Sequence, residues 1–251
     1  MLFAYLTLFV FFQLGYGVFL YNKKLHTVDL LWGLAHAVVI WGALYTNPLE
    51  SMSFSGILLI ALVSTWSLRL FLYLFVRNKG KPDDRRYLEL ASSWKGGFAL
   101  NAYFRIFLVQ CVLAGICSFS AYRGVVNPSL NTSWVLYLGT FLSVFGLLYE
   151  SIADMQLYSF KKLHPGKKLY NVGLYKFSRH PNYFGEICFW WGIYFISLNN
   201  FSNWWTIFSP ILINVLILKV SGVPFHLKKT DDEKYNQYLK TKNALIPSIF
   251  N

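Results

Sequence analysis

The chain has 251 residues, of which 55% are hydrophobic, 20% aromatic and only 14% charged, with a formal net charge of +12. These proportions exclude an ordinary soluble globular protein and point to a membrane protein. The positive charge does not indicate nucleic acid, because the basic residues lie beside apolar stretches, where they face anionic lipid.

Seven stretches are long and apolar enough to cross a bilayer, at roughly 1–21, 28–46, 54–76, 99–121, 134–153, 182–199 and 203–220. Every Lys and Arg except Arg69, Arg105 and Arg123 falls in one alternate set of connections, 22–27, 77–98, 154–181 and the segment from Lys219 onward. The positive-inside rule then places the N-terminus outside and the C-terminus in the cytosol. The expected fold is an all-α, seven-transmembrane helix bundle in a single integral membrane domain with a tail over 221–251. The first stretch lacks a basic start and a cleavage signal, so it is expected to be retained as a span. Cys111, Cys117 and Cys188 all fall in apolar stretches without C-x-x-C spacing, which indicates neither a disulfide framework nor a metal site.

Taken in order, the second stretch opens with Asp29 at its cytosolic edge. That acid is explained equally well by the positive end of a helix or by a role in a site. His36, two turns deeper, is expected to be a satisfied core group. The third stretch carries Arg69 two turns inside the boundary marked by Arg77, where an unpaired charge is costly, and Tyr73 lies one turn on along the same face. The loop Lys79–Tyr87 that follows reads as a solvated connector. Arg105 stands among aromatics in the fourth stretch. At the end of the fifth, Glu150, Asp154, Tyr158 and Lys161 form one polar stripe.

The most informative stretch is Gly173–Gly192, where a basic loop turns into an apolar helix. Pro181 suits the first turn of a helix, so His180 becomes the N-cap and the helix runs from 181 to about 198. Arg179 and His180 then stand at its positive end, a ready site for a phosphate. Asn182 and Glu186, four residues apart, project from one face just inside it. Asp29, Arg69, Arg105, Glu150, Asp154, Arg179, Asn182 and Glu186 all fall on the cytosolic side by this topology. They predict a polar cavity open to the cytosol that narrows into an aromatic chamber.

The run Ser178-Arg-His-Pro-Asn-Tyr-Phe-Gly-Glu186 with Trp190-Trp191-Gly192 resembles the steroid 5-alpha-reductase-like superfamily of membrane reductases. So do Val28-Asp29, Leu68-Arg69-Leu70, Glu150 to Asp154, Ser221-Gly-Val-Pro224 and the closing Tyr235 to Pro247. The likeness is strongest to a branch of small, mostly bacterial multi-span proteins. It implies NADPH as cofactor, held by Asp154, Lys161, Arg179, His180, Asn182, Tyr183, Glu186, His226 and Tyr235. No G-x-G-x-x-G fingerprint is present, so a Rossmann domain is excluded as the carrier. Hydride transfer to an unsaturated, lipid-soluble substrate also needs a proton donor. The position of the family's catalytic tyrosine falls on Trp66, so Tyr73 is the candidate donor, with Asp29 and Arg69 in support. Two alternatives stay open: an S-adenosylmethionine-dependent methyltransferase of isoprenylcysteine or phospholipid type, and a non-enzymatic lipid-binding protein. No metal is expected in any of the three, and the bilayer is a partner in all.

Overall fold

The computed structural model describes residues 1–45, 47–48, 52–83, 85–129, 132–166, 172–221 and 233–248. Among them every regular element is a helix. The helices are α1 (Leu2–Asn22), α2 (Thr27–Ala43), α3 (Phe54–Asn78), α4 (Arg85–Ser92), α5 (Phe98–Val126), α6 (Trp134–Leu163), α7 (Pro181–Leu198), α8 (Phe201–Val220) and α9 (Glu233–Thr241).

Local chemistry sets several of these ends. Lys23 closes α1 in the left-handed region at φ 58°, its N–H reaching Phe19 O at 2.7 Å. The hydroxyl of Ser53 caps α3 by accepting the Gly56 N–H at 3.2 Å. No Gly or Pro interrupts residues 154–163, so α6 continues well beyond the apolar stretch ending at 153 and stops only before Pro165-Gly166. One π turn, Tyr103–Phe107, lies inside α5.

Five helices, α1, α3, α5, α6 and α8, are long and apolar enough to cross a membrane. The apolar α2 is shorter, at 17 residues. Expected as the sixth of seven spans, α7 is 18 residues long, but Pro181, Asn182 and Glu186 lower its apolar character and it is not among the five. Large side chains such as Leu6 on α1, Leu72 on α3, Val112 on α5 and Phe141 on α6 are exposed. Outward-facing apolar surface on this scale requires lipid rather than water. The chain is an integral multi-pass membrane protein.

Contacts divide the chain into two units, residues 1–132 with 197–209, and residues 133–196 with 210–251. In the first, Phe12, Phe19, Trp66 and Phe107 are fully buried. His36 is buried there too, its Nδ1 2.7 Å from Ser118 Oγ, with its ring edge-on to Trp66 at 5.5 Å. Ser118 donates its own proton to Ala114 O, so it accepts from the imidazole and fixes the proton on Nδ1. His36 is thus a buried core group, bonded through Nδ1.

In the second unit α6 and α7 meet along small residues. Gly139 and Gly146 of α6 face Ile196 and Phe189 of α7, while Gly185 and Gly192 of α7 face Glu150 and Ser143 of α6. A methyl group on Gly185 would come within 2.6 Å of Glu150 N, and one on Gly139 within 2.7 Å of Ile196 N. Backbones that approach this closely give van der Waals contact without needing a hydrophobic force between helices in lipid.

Candidate functional site

The glycine seam determines what lies at the far end of α6 and α7. With Gly185 seated on the backbone of Glu150, the next turn of α6 brings Asp154 alongside Asn182 at the start of α7. Asn182 Nδ2 donates to Asp154 Oδ1 at 3.2 Å. Glu150 and Asp154 are both buried, and Glu186 is half-buried one turn farther into α7. Lys161 is exposed two turns beyond Asp154.

The entry to α7 is a built structure rather than a loose loop. His180 is the N-cap: its carbonyl accepts the Phe184 N–H at 3.2 Å, and its ring stacks on Tyr183 at 5.3 Å. Ser178 Oγ accepts from the His180 N–H at 3.2 Å and donates to Leu245 O at 2.7 Å. Upstream, Gln156 Oε1 accepts the Leu174 N–H at 2.9 Å. Gly173, at φ 52°, passes so close to that amide that a side chain there would collide with it.

The tail closes over this entry. The Arg179 N–H donates to Asn243 O at 3.0 Å, and the Ser248 N–H donates to Phe177 O at 2.8 Å. On α9 the Tyr238 hydroxyl donates to Tyr175 O and Ser178 O, at 2.8 and 3.1 Å. Burial pushes the Tyr238 phenol well above its usual range; Tyr235 adds to the rise and the nearby Arg179 opposes it. Burial likewise raises Tyr235, again opposed by Arg179. The cation thus sits between a helix N-terminus and two neutral phenols. Its Nε is buried with no hydrogen-bond partner among the described residues.

The first unit holds the other predicted group. Tyr87 of α4 donates its hydroxyl to Asp29 Oδ1 at 2.5 Å. Asp83 accepts the backbone N–H groups of Leu25 and His26 at 2.9 and 3.0 Å and pairs with His26 Nδ1 at 2.8 Å. The segment expected as a solvated connector is therefore docked onto the start of α2 and becomes helical at Arg85, because its Asp83 and Tyr87 side chains both find partners there. Arg69 and Tyr73 are half-buried on α3, and Arg77 lies over the Tyr73 ring at 5.6 Å. Trp66, buried in the core, offers no hydroxyl.

The structure thus brings Asp154 to Asn182, His180 to Tyr183, and Arg179 to Tyr235. His226 lies outside the described residues. Nothing in the sequence points to Tyr87 or Asp83, since each acts on a segment remote along the chain; Tyr238 is legible as one of the tail's Tyr residues able to fold back, and the paired glycines seven apart in α6 and α7 are a further signal. Among the described residues, no group of His, Cys, Asp and Glu side chains could hold a metal.

The family model described as "Protein of unknown function (DUF1295)" matches residues 15–242. The chain belongs to the DUF1295 family. The match begins inside α1 and ends just past α9, so it reaches into both units and takes in the tail as far as residue 242. An uncharacterized protein of Schizosaccharomyces pombe is 25% identical to this DUF1295 chain over 262 residues, covering 92% of the chain and 74% of the yeast protein.

Proposed function

We propose that this DUF1295 protein is a membrane-embedded, NADPH-dependent reductase of a lipid-soluble unsaturated substrate, built as a seven-span bundle with its N-terminus outside and its C-terminus in the cytosol. The observation that carries this reading is Arg179, a cation at a helix N-terminus whose Nε is buried with no partner among the described residues. An anionic ligand suits such a group. The residues around it fit a nucleotide: Arg179, Lys161 and the first N–H groups of α7 suit phosphates, while Asp154, Asn182 and Glu186 offer donors and acceptors for a ribose and a carboxamide. His180, Tyr183 and Tyr235 border the same helix start or its cation.

NADPH, when bound, supplies a hydride. The protein's task is then to hold the cofactor, exclude water and present a proton. Tyr73 is assigned as the donor to the substrate, with Arg69 and Asp29 holding charge near it. The hydroxyl of Tyr87 already occupies one Asp29 oxygen, which orients that carboxylate.

The test is the thermal midpoint of the detergent-purified protein with NADPH, NADH and S-adenosylmethionine in turn. A ligand at 100 times its Kd adds about 2.7 kcal/mol. A shift with NADPH that is lost in Asn182→Ala and Glu186→Gln supports the reading. A shift with S-adenosylmethionine alone would replace it with a methyltransferase, and no shift with any of the three would leave a lipid-binding protein without a nucleotide.

A further inference from the structure

Between α3 and α5 the chain carries Lys79, Lys81, Arg85, Arg86 and Lys95, and it must stay at the level where those two helices leave the membrane because both ends are tied to them. Within it, α4 is amphipathic. At 100° per residue Tyr87, Leu88, Leu90 and Ala91 fall in one arc of about 160°, and Glu89 and Ser92 lie opposite. The centre of the apolar arc is anchored, since Tyr87 bonds Asp29 in the first turn of α2. The flanking leucines have no such cover: Leu88 is 53% exposed and Leu90 45%.

Beyond α4, Trp94 contacts Phe98 at 5.7 Å, and Leu100 is exposed. Lys23, Lys79, Lys81 and Lys95 are all exposed, and Lys24 Nζ donates to Lys81 O at 3.2 Å, which ties the first connection to this one. Against the five cations of residues 79–95 stand three acids, Asp83, Asp84 and Glu89, which leaves the segment net positive, and Asp83 is turned to His26 and two backbone N–H groups.

Exposed leucines on a helix tethered at membrane level, within a net positive connection whose lysines are exposed, match one surface: the headgroup boundary of an anionic bilayer. We propose that residues 79–95 form an in-plane anchor in which Leu88 and Leu90 enter the acyl boundary and Lys23, Lys79, Lys81 and Lys95 bind anionic phospholipid headgroups. Tyr87 and Asp83 couple this anchor to the start of α2.

The test titrates phosphatidylglycerol, phosphatidylcholine or inorganic phosphate into the full-length purified protein and reads the thermal midpoint. Phosphatidylglycerol raises the midpoint in a salt-sensitive way, and the other two do not. In the triple variant Lys79→Gln, Lys81→Gln, Lys95→Gln the half-saturating phosphatidylglycerol concentration rises about fivefold for each lysine removed. A control triple, Lys162→Gln, Lys176→Gln, Lys240→Gln, raises it clearly less. Equal responses to the two phospholipids, a response to free phosphate that matches the lipid, or equal losses in both triples would overturn the proposal. The double variant Leu88→Gln, Leu90→Gln lowers the response while Tyr87 still docks; a full response in that variant would remove the leucines from the anchor and overturn it in this form.

Discussion

Asp154 is a buried carboxylate that accepts a hydrogen bond from the side chain of Asn182, and the two residues answer differently to substitution. Asn182→Ala takes away that donor and leaves the acid buried, at a cost of about 1–3 kcal/mol. Asp154→Asn keeps an acceptor in place without the charge, so its cost in the ligand-free protein is smaller. Thermal midpoints of the two variants, measured without ligand, check this order. If the proposed nucleotide site is correct, both variants lose cofactor affinity, so stability and binding separate in Asp154→Asn. The residue type and its position in a polar stripe are legible in the sequence, because a carboxylate recurring every four residues past a span is visible by counting. The choice of partner is not, since it depends on how closely α6 and α7 approach.

That approach is a property of the two helices as elements. Gly185→Ala places a methyl 2.6 Å from Glu150 N, against backbone that cannot turn aside. The helices must part, which costs about 1–3 kcal/mol, and the Asp154 to Asn182 contact loosens with them. The expected result is a lowered thermal midpoint in Gly185→Ala, with Gly17→Ala as the control because nothing lies within 4 Å there. The docked tail makes a second element-scale prediction. Tyr238→Phe removes a hydroxyl that donates to two carbonyls, worth about 1 kcal/mol, and limited proteolysis should cut the tail sooner. Because the folded Tyr235 and Tyr238 phenols are raised above the ordinary 10.0, the unfolded chain loses these protons first as the pH climbs. Stability is therefore complete below about pH 10 and falls above it, and Tyr238→Phe flattens that fall. Helix α6 shows why boundaries are only partly legible in a sequence: apolarity marks where a helix meets lipid, and the helix itself ends where Pro165-Gly166 breaks it.

For the whole molecule, the charge pattern and the apolar helices together define a protein that lives in a bilayer, and both are legible in composition and in the spacing of the basic residues. The orientation proposed with the function is a separate matter that the helices alone do not set. An impermeant thiol reagent applied to intact cells should label Thr132→Cys, and should reach Ser93→Cys only after the membrane is opened; the reverse pattern would invert the topology. The division into two units is not legible in the same way, because contacts between remote segments, such as Ser120 N–H donating to Ser209 Oγ at 3.2 Å, leave no local mark.

The tail's grip on the start of α7 also constrains how this chain can change over generations. Beside Tyr235 and the Tyr238 hydroxyl, main-chain groups of the tail take part, the carbonyls of Asn243, Ala244 and Leu245 and the N–H of Ser248. Main-chain groups are the same in almost every amino acid. A side-chain substitution there leaves these main-chain contacts in place, whereas inserting or deleting one residue between 239 and 247 shifts all of them at once. For these contacts the segment's length matters more than its spelling.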